Sequence, residues 1–192
     1  MTVNDIFTSE RLTYRSFEMG DLQTYVSLCN KPSRRRWFYF QEPHCLEASF
    51  WTKEIENNIA VWSRKINLLT ETAGCGVAIV LKKNGQLIGS VSLSKFHGPE
   101  DELDYVEIGY HIGEAYQGNG YATEAATAAV EWGLVQLHNL GVEPKIVGKA
   151  EHENLPSRRV LEKAGFTHVM TEQYVSVYEI VEIRPSLNLI LC

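Results

Sequence analysis

A chain of 192 residues, 44% of them hydrophobic and 22% charged, is long enough to bury one substantial core and has the composition of an ordinary globular domain. Its net charge of −6 leans against nucleic acid or an anionic membrane as the main partner and is compatible with a basic or amine substrate. Cys29, Cys45, Cys75 and Cys192 form no CxxC pair and have no histidine at metal-ligand spacing, so they read as reduced thiols of a cytoplasmic protein, with no metal expected.

The N-terminal MTVNDIFTSERL is polar and acidic, unlike a signal peptide. No run approaches the roughly 20 apolar residues that span a bilayer. Ser9–Phe17 alternates Leu12 and Tyr14 against Arg11, Thr13 and Arg15, the period of a strand. Met19–Asn30 carries Leu22, Tyr25, Val26 and Leu28 at helical spacing, and Asp21 suits the start of that helix. Lys31–Phe40 holds three arginines, read as a solvated run, and four consecutive aromatics, Trp37–Phe40, that fit either core packing or a lid over a cleft. Leu46–Ile66 repeats Phe50, Trp51, Ile55, Ile59 and Trp62 at helical intervals.

Cys75–Lys82 and Gln86–Ser94 are apolar strand runs joined through Asn84-Gly85, a strong hairpin signal. The acidic Phe96–Leu103 loop leads to a strand at Tyr105–Ile112, within which Gly109 suggests a bulge or a close backbone approach. Ala122–Leu140 reads as a long helix with small residues near its start, stopped by Gly141. Ile146–Glu151 is a short strand. Asn154-Leu155-Pro156-Ser157 then opens a second helix that runs to Ala164, with Gly165 beyond its end. Phe166–Met170, Tyr174–Ile183 and Leu187–Cys192 complete the strand candidates. No repeat or linker divides the chain, so residues 1–192 read as one α/β domain, with a strand-rich mixed sheet and about four helices.

Between the strand and the long helix stands Gly113–Ala126, GEAYQGNGYATEAA. A glycine-rich turn opening a helix presents free backbone N–H groups and the positive end of the helix dipole, which suits a phosphate or pyrophosphate. A plain connection is the alternative. The turn lacks the third glycine of a GxGxxG dinucleotide loop and follows a long prologue rather than a first strand, and no GxxxxGK[ST] loop occurs.

The strand Glu107–Tyr110, the turn residues Gln117, Gly118, Gly120 and Ala122, and the later Asn154, Ser157, Leu161, Glu162, Lys163, Gly165 and Phe166 together resemble the motifs of the GNAT superfamily of acetyl-CoA-dependent N-acetyltransferases, and within it the Rim-type group of ribosomal-protein N-terminal acetyltransferases. Gln117, Gly120 and Ala122 match the family's [Arg/Gln]-x-x-Gly-x-[Gly/Ala] motif. Glu107–Tyr110 and Gly118–Ala125 match its EIGY strand and GxGYATEA turn, and Asn154, Ser157, Leu161, Glu162, Lys163, Gly165 and Phe166 match its later stretch. The likeness covers about Ser9 to Val169, and Tyr174–Cys192 departs from the family's aromatic- and Arg-rich close. It implies a mixed, mostly antiparallel sheet of roughly six to seven strands, with a splayed strand pair at the cofactor cleft.

The resemblance also implies roles. Acetyl-CoA would be the co-substrate, its pyrophosphate on the turn formed by Gln117, Gly118, Asn119, Gly120, Tyr121, Ala122 and Thr123. Its pantetheine arm would pair with the backbone of Tyr110, His111 and Ile112, and Asn154 would reach an arm amide or simply cap its helix. Glu107 is the first candidate for the base that neutralises an attacking amine, with His111 in reserve. Ser157 is the candidate to protonate the departing thiolate, ahead of Tyr110 and Tyr116. The partner is an amine acceptor, a small molecule or a protein N-terminus; a homodimer is compatible with the pattern. A non-catalytic acyl-CoA-binding module of the same fold, and a ligand-free interaction domain, stand as the other readings.

Overall fold

The computed structural model describes residues 5–31, 48–63, 67–68, 76–96 and 105–181. Arg34–Phe40, the acidic Glu100–Glu102 and the Leu187–Cys192 strand expectation lie outside these residues, as do Cys45, Cys75 and Cys192. The strands are β1 (Asp5–Thr8), β2 (Leu12–Arg15), β3 (Gly76–Leu81), β4 (Leu87–Phe96), β5 (Tyr105–Ile112), β6 (Ile146–Glu151), β7 (Thr167–Thr171) and β8 (Val175–Ile180). The helices are α1 (Leu22–Cys29), α2 (Ala48–Trp62), α3 (Tyr121–Asn139) and α4 (Leu155–Lys163), with short 3-10 turns at Met19–Asp21 and Glu114–Tyr116.

The strands form one sheet in the order β1-β2-β3-β4-β5-β6-β8-β7. Every neighbouring pair is antiparallel except β5 and β6. Among the described residues the sheet has eight strands rather than six to seven. The addition is β1, whose four residues are too few for a period to show and whose pairing with β2 is broken by an irregularity between Asp5 and Phe7. The Asn84-Gly85 hairpin is closed by a Leu81 N–H bond to the Gln86 carbonyl at 2.9 Å. Gly109 marks no bulge: β4 and β5 keep unbroken register from Gly89/Ile112 to Phe96/Tyr105. A Cβ at Gly109 would instead lie 3.0 Å from Ser92 Oγ, so the close approach is the relevant half of that expectation.

The alternation of the strands divides the core between two faces. Leu12, Tyr14, Val77, Ile79, Val91, Leu93, Val106, Ile108 and Ile146 pack against α3 and α4. Ala78, Val80 and Leu87 pack against Phe17, Tyr25 and Cys29 and, from α2, Trp51 and Ile55. On the first face the contact is close because α3 presents Ala125, Ala126, Ala128, Ala129 and Gly133. A Cβ on Gly133 would stand 2.4 Å from Leu93 Cδ1, and one on Gly148 of β6 would stand 2.5 Å from Leu161 Cδ2 of α4. Larger residues at either place would lift a helix off the sheet.

Candidate functional site

The parallel pair β5 and β6 is where the sheet opens. Their register runs through Val106/Ile146, Glu107/Val147 and Ile108/Gly148 and stops there. Beyond that point β5 continues to Ile112 and β6 to Glu151 with no pairing between them, so the two strands splay into a cleft. A backbone edge that has parted from its neighbour offers N–H and C=O groups to an extended ligand.

The glycine turn stands at the mouth of this cleft. Gln117–Gly120 is exposed, and Gly118 and Gly120 sit at φ +77° and +78°, a left-handed backbone that side chains disfavour. Gly120 is the N-cap of α3, and no side chain caps the helix. The Glu124 N–H bonds the Gly120 carbonyl at 3.0 Å. The N–H groups of Tyr121, Ala122 and Thr123 precede that first bond and have no intrahelical carbonyl within reach. The turn is held by its own side chains: Gln117 Nε2 donates to the Ile112 carbonyl at 2.9 Å, and Asn119 Nδ2 donates to the Tyr116 and Gln117 carbonyls at 3.1 and 3.0 Å. Gln117 thus ties the turn to the end of β5.

The other wall comes from α4. The Asn154 side-chain oxygen accepts the Ser157 N–H at 3.2 Å, capping the helix as its position before Pro156 requires. Across the cleft the Tyr110 hydroxyl donates to the Ser157 carbonyl at 3.0 Å and lies 2.8 Å from Ser157 Oγ. Burial pushes the Tyr110 hydroxyl up to about 12 against the opposing effect of the Ser157 hydrogen bond, so it keeps its proton at neutral pH.

The opposite face of β4 and β5 carries a polar stripe. Ser90, Ser92 and Ser94 stand beside His111, Gly109 and Glu107 as cross-strand partners, and Tyr25 Oη lies 3.0 Å from Ser90 Oγ. Glu107 and His111 therefore share a face, as their spacing requires. His111 is 8% exposed. Burial raises the Glu107 carboxyl above its ordinary range, with Lys149 opposing the rise and Glu172 adding to it. Glu107 Oε2 is buried without a hydrogen-bond partner among the described residues.

The structure thus joins Tyr110 to Ser157, Ser157 to Asn154 and the turn at Gln117 to Ile112, whereas the His111 side chain shares the opposite face with Glu107. Tyr116 packs at the rim of the cleft in the core cluster. Sequence reasoning left out the residues that hold the turn from behind. Glu124 in the first turn of α3 accepts from Ser9 Oγ, from Arg11 N–H and from Arg11 Nε, each at 2.7 Å. An acidic residue in a helix's first turn was a visible signal, but nothing in the chain pointed to a partner 113 positions earlier. Among the described residues no group of His, Cys, Asp or Glu could hold a metal ion, and no helix is long and apolar enough to cross a membrane.

The family described as "Acetyltransferase (GNAT) domain" matches residues 11–167. "Uncharacterized N-acetyltransferase p20" of Bacillus licheniformis is 30% identical over 158 residues, 82% of this chain and 80% of the relative. "Uncharacterized N-acetyltransferase YjdG" of Bacillus subtilis (strain 168) is 34% identical over 88 residues, and that match spans only 46% of this chain and 48% of the relative. Among solved structures, an acetyltransferase (GNAT family) from Bacillus anthracis superposes with a TM-score of 0.70 at 20% identity, covering 91% of this chain and 97% of that one. RimL, a ribosomal alpha-N-protein acetyltransferase in complex with coenzyme A, superposes with a TM-score of 0.67 at 18% identity, covering 92% of this chain and 97% of that one. The chain belongs to the GNAT acetyltransferase family.

Proposed function

We propose that this chain is a cytoplasmic acetyl-CoA-dependent N-acetyltransferase of the Rim-type group, acting as one domain on a primary amine, either a protein N-terminus or a small amine. The observation that carries the reading is the splay of β5 from β6 after Ile108/Gly148, with the uncapped start of α3 at its mouth. The likeness to RimL in complex with coenzyme A supports the donor and a protein N-terminus as acceptor.

The residues present fit the cofactor. A Cβ at Gly118 would meet no protein atom within 4 Å and project into open space, and one at Gly120 would lie 3.5 Å from Arg11 Nη2. The N–H groups of Gly118 to Thr123 would hold the pyrophosphate at the positive end of α3. The parted edge Tyr110–Ile112 would hold the pantetheine arm, with Asn154 as a side-chain partner. Bound acetyl-CoA supplies an activated acyl thioester. Glu107, desolvated and with one oxygen unpartnered, takes the proton that an ammonium acceptor must lose before it can attack. Ser157 Oγ would give a proton to the thiolate as it leaves, with the Tyr110 hydroxyl, protonated at neutral pH, 2.8 Å away to hold the serine in place.

Acetyl-CoA-dependent thiol release over a panel of small amines and peptide N-termini is the test. Release with at least one amine is expected. Gly120→Glu, which strains the left-handed backbone of the turn and sets a carboxylate at the start of α3 beside Arg11, is expected to abolish coenzyme A binding by calorimetry. Tight binding with no release from any amine would favour the binding module, and wild-type affinity in Gly120→Glu would remove the cofactor from this site.

A further inference from the structure

The glycine turn is anchored from behind by the link between β1 and β2. Arg11 Nε donates to Glu124 Oε2 at 2.7 Å, and its Nη1 donates to the Asn119 carbonyl at 3.0 Å. The guanidinium carbon lies 4.6 Å from the Tyr121 ring centroid. One planar cation therefore touches residue 119 before the helix, residue 121 at its first position and residue 124 in its first turn. Its own strand is fixed independently: the Lys82 N–H bonds the Arg11 carbonyl at 3.0 Å, and Ser9 Oγ bridges Glu124 Oε1 at 2.7 Å to Tyr14 Oη at 3.1 Å.

The charge balance has a direct consequence for an anion. A carboxylate in the first turn of a helix is favourable to the helix but competes with any anionic ligand for the same positive end. Burial alone would push the Glu124 carboxyl up, yet the bonds from the Ser9 hydroxyl and from the Arg11 backbone and guanidinium hold it below its ordinary range. Arg11 cancels this charge in place, and with Glu124 turned toward β2 the N–H groups of Tyr121 to Thr123 remain open. Lysine could supply the charge but not the fork that spans Glu124 and Asn119.

We propose that Arg11 and Glu124 are positioning residues for the diphosphate cradle, holding Asn119–Tyr121 in its anion-receiving shape and neutralising the carboxylate that would otherwise repel the diphosphate. This rests on the reading of Gly118–Thr123 as that cradle.

The test uses three probes on the full chain: coenzyme A, ADP (a diphosphate without the arm) and pantetheine (the arm without the diphosphate). For Arg11→Ala we expect coenzyme A and ADP to bind about tenfold more weakly, the worth of one charge-assisted contact, while pantetheine stays within about twofold. The pair Arg11→Ala with Glu124→Ala should recover part of the ADP affinity, because the uncompensated carboxylate is gone. Arg11→Lys, the gentler variant should Arg11→Ala not fold, should also lose ADP affinity selectively. Equal losses for ADP and pantetheine, which a merely structural role would produce, overturn the proposal, as does a double variant weaker than Arg11→Ala. If wild type binds neither coenzyme A nor ADP, the cradle reading itself falls. Unaltered ADP binding by the Arg11 variants on a binding-competent wild type sinks the clamp alone.

Discussion

The two faces of the sheet solve different problems. Against α3 and α4 the helices come close through small residues, with Gly133 and Gly148 at points where a Cβ would lie 2.4 and 2.5 Å from a neighbouring leucine, beside a stack of Phe7 on Tyr14 and Trp132 in the same cluster. Against α1 and α2 it is made of large rings: Phe17 and Tyr25 have centroids 4.6 Å apart, and Tyr25 meets Trp51 edge-on at 5.5 Å. Rings fill space tolerantly, whereas a helix seated on alanines and glycines is held at a defined height. The first arrangement suits a face that must aim the start of a helix at a fixed chemical group. The second lies beside the polar stripe of Ser90, Ser92, Ser94, Glu107 and His111.

The largest effect that would sharpen this contrast is expected at Glu107. Glu107→Gln should lower kcat by about 10²–10⁴-fold, the usual worth of a general base, and leave coenzyme A affinity unchanged. A parallel loss of cofactor affinity would mean that the two faces do not divide donor from acceptor chemistry. The pH dependence has a defined sign. The folded carboxyl is raised from 4.5, so protonation favours the folded state: that stabilisation is present below the unfolded value and lost as pH rises through the folded one. At neutral pH Glu107→Gln should therefore be the more stable protein in urea unfolding. The acid limb of kcat/KM in the wild type should lie above the ordinary glutamate range, because only the ionised form accepts a proton.

A smaller effect tests the packing itself. Gly133→Leu should destabilise by about 1–3 kcal/mol through overpacking against Leu93 and Ile146, read from the urea midpoint at unchanged slope. Ile55→Val on the opposite face should cost about 0.5–1.5 kcal/mol, the usual worth of one buried methyl group. Should Gly133→Leu cost less than about 1 kcal/mol, the claim that α3 is held close would fail.

How much of this could be read from the chain depends on how far apart the cooperating residues lie. Strand β5 has the expected bounds, because Tyr105–Ile112 alternates and is stopped by Gly113. The expected helix at Ala122 begins at Tyr121, and Asn154 caps α4 as its place before Pro156 suggests, since both signals lie within one turn of the chain. Asp21 stands at the N-cap of α1 as expected, and it also accepts from both Nη atoms of Arg15 at 2.7 and 2.9 Å, a partner the spacing did not announce. The Arg11–Glu124 clamp was invisible for the same reason, and more so: 113 positions separate residues that only the sheet brings together. The Tyr110–Ser157 contact joins two expected site residues whose proximity no spacing could disclose.

The smallest expected effect separates two duties of one side chain. Asn154 commits its oxygen to the Ser157 N–H, and its amide nitrogen is the group that can donate to a carbonyl of the pantetheine arm. The two duties use different atoms, so one substitution can remove one and keep the other. Asn154→Ser retains a good capping oxygen and should change stability by only a few tenths of a kcal/mol, whereas Asn154→Ala should lose about 1 kcal/mol. The serine is too short to replace the amide donor, so coenzyme A should bind several-fold more weakly to Asn154→Ser, within the roughly tenfold that one neutral hydrogen bond is worth. Full coenzyme A affinity in Asn154→Ser together with a weakened helix in Asn154→Ala would reduce Asn154 to a cap. Arm recognition would then rest on the parted backbone edge of β5, and the donor face would owe its specificity to strand geometry rather than to side chains.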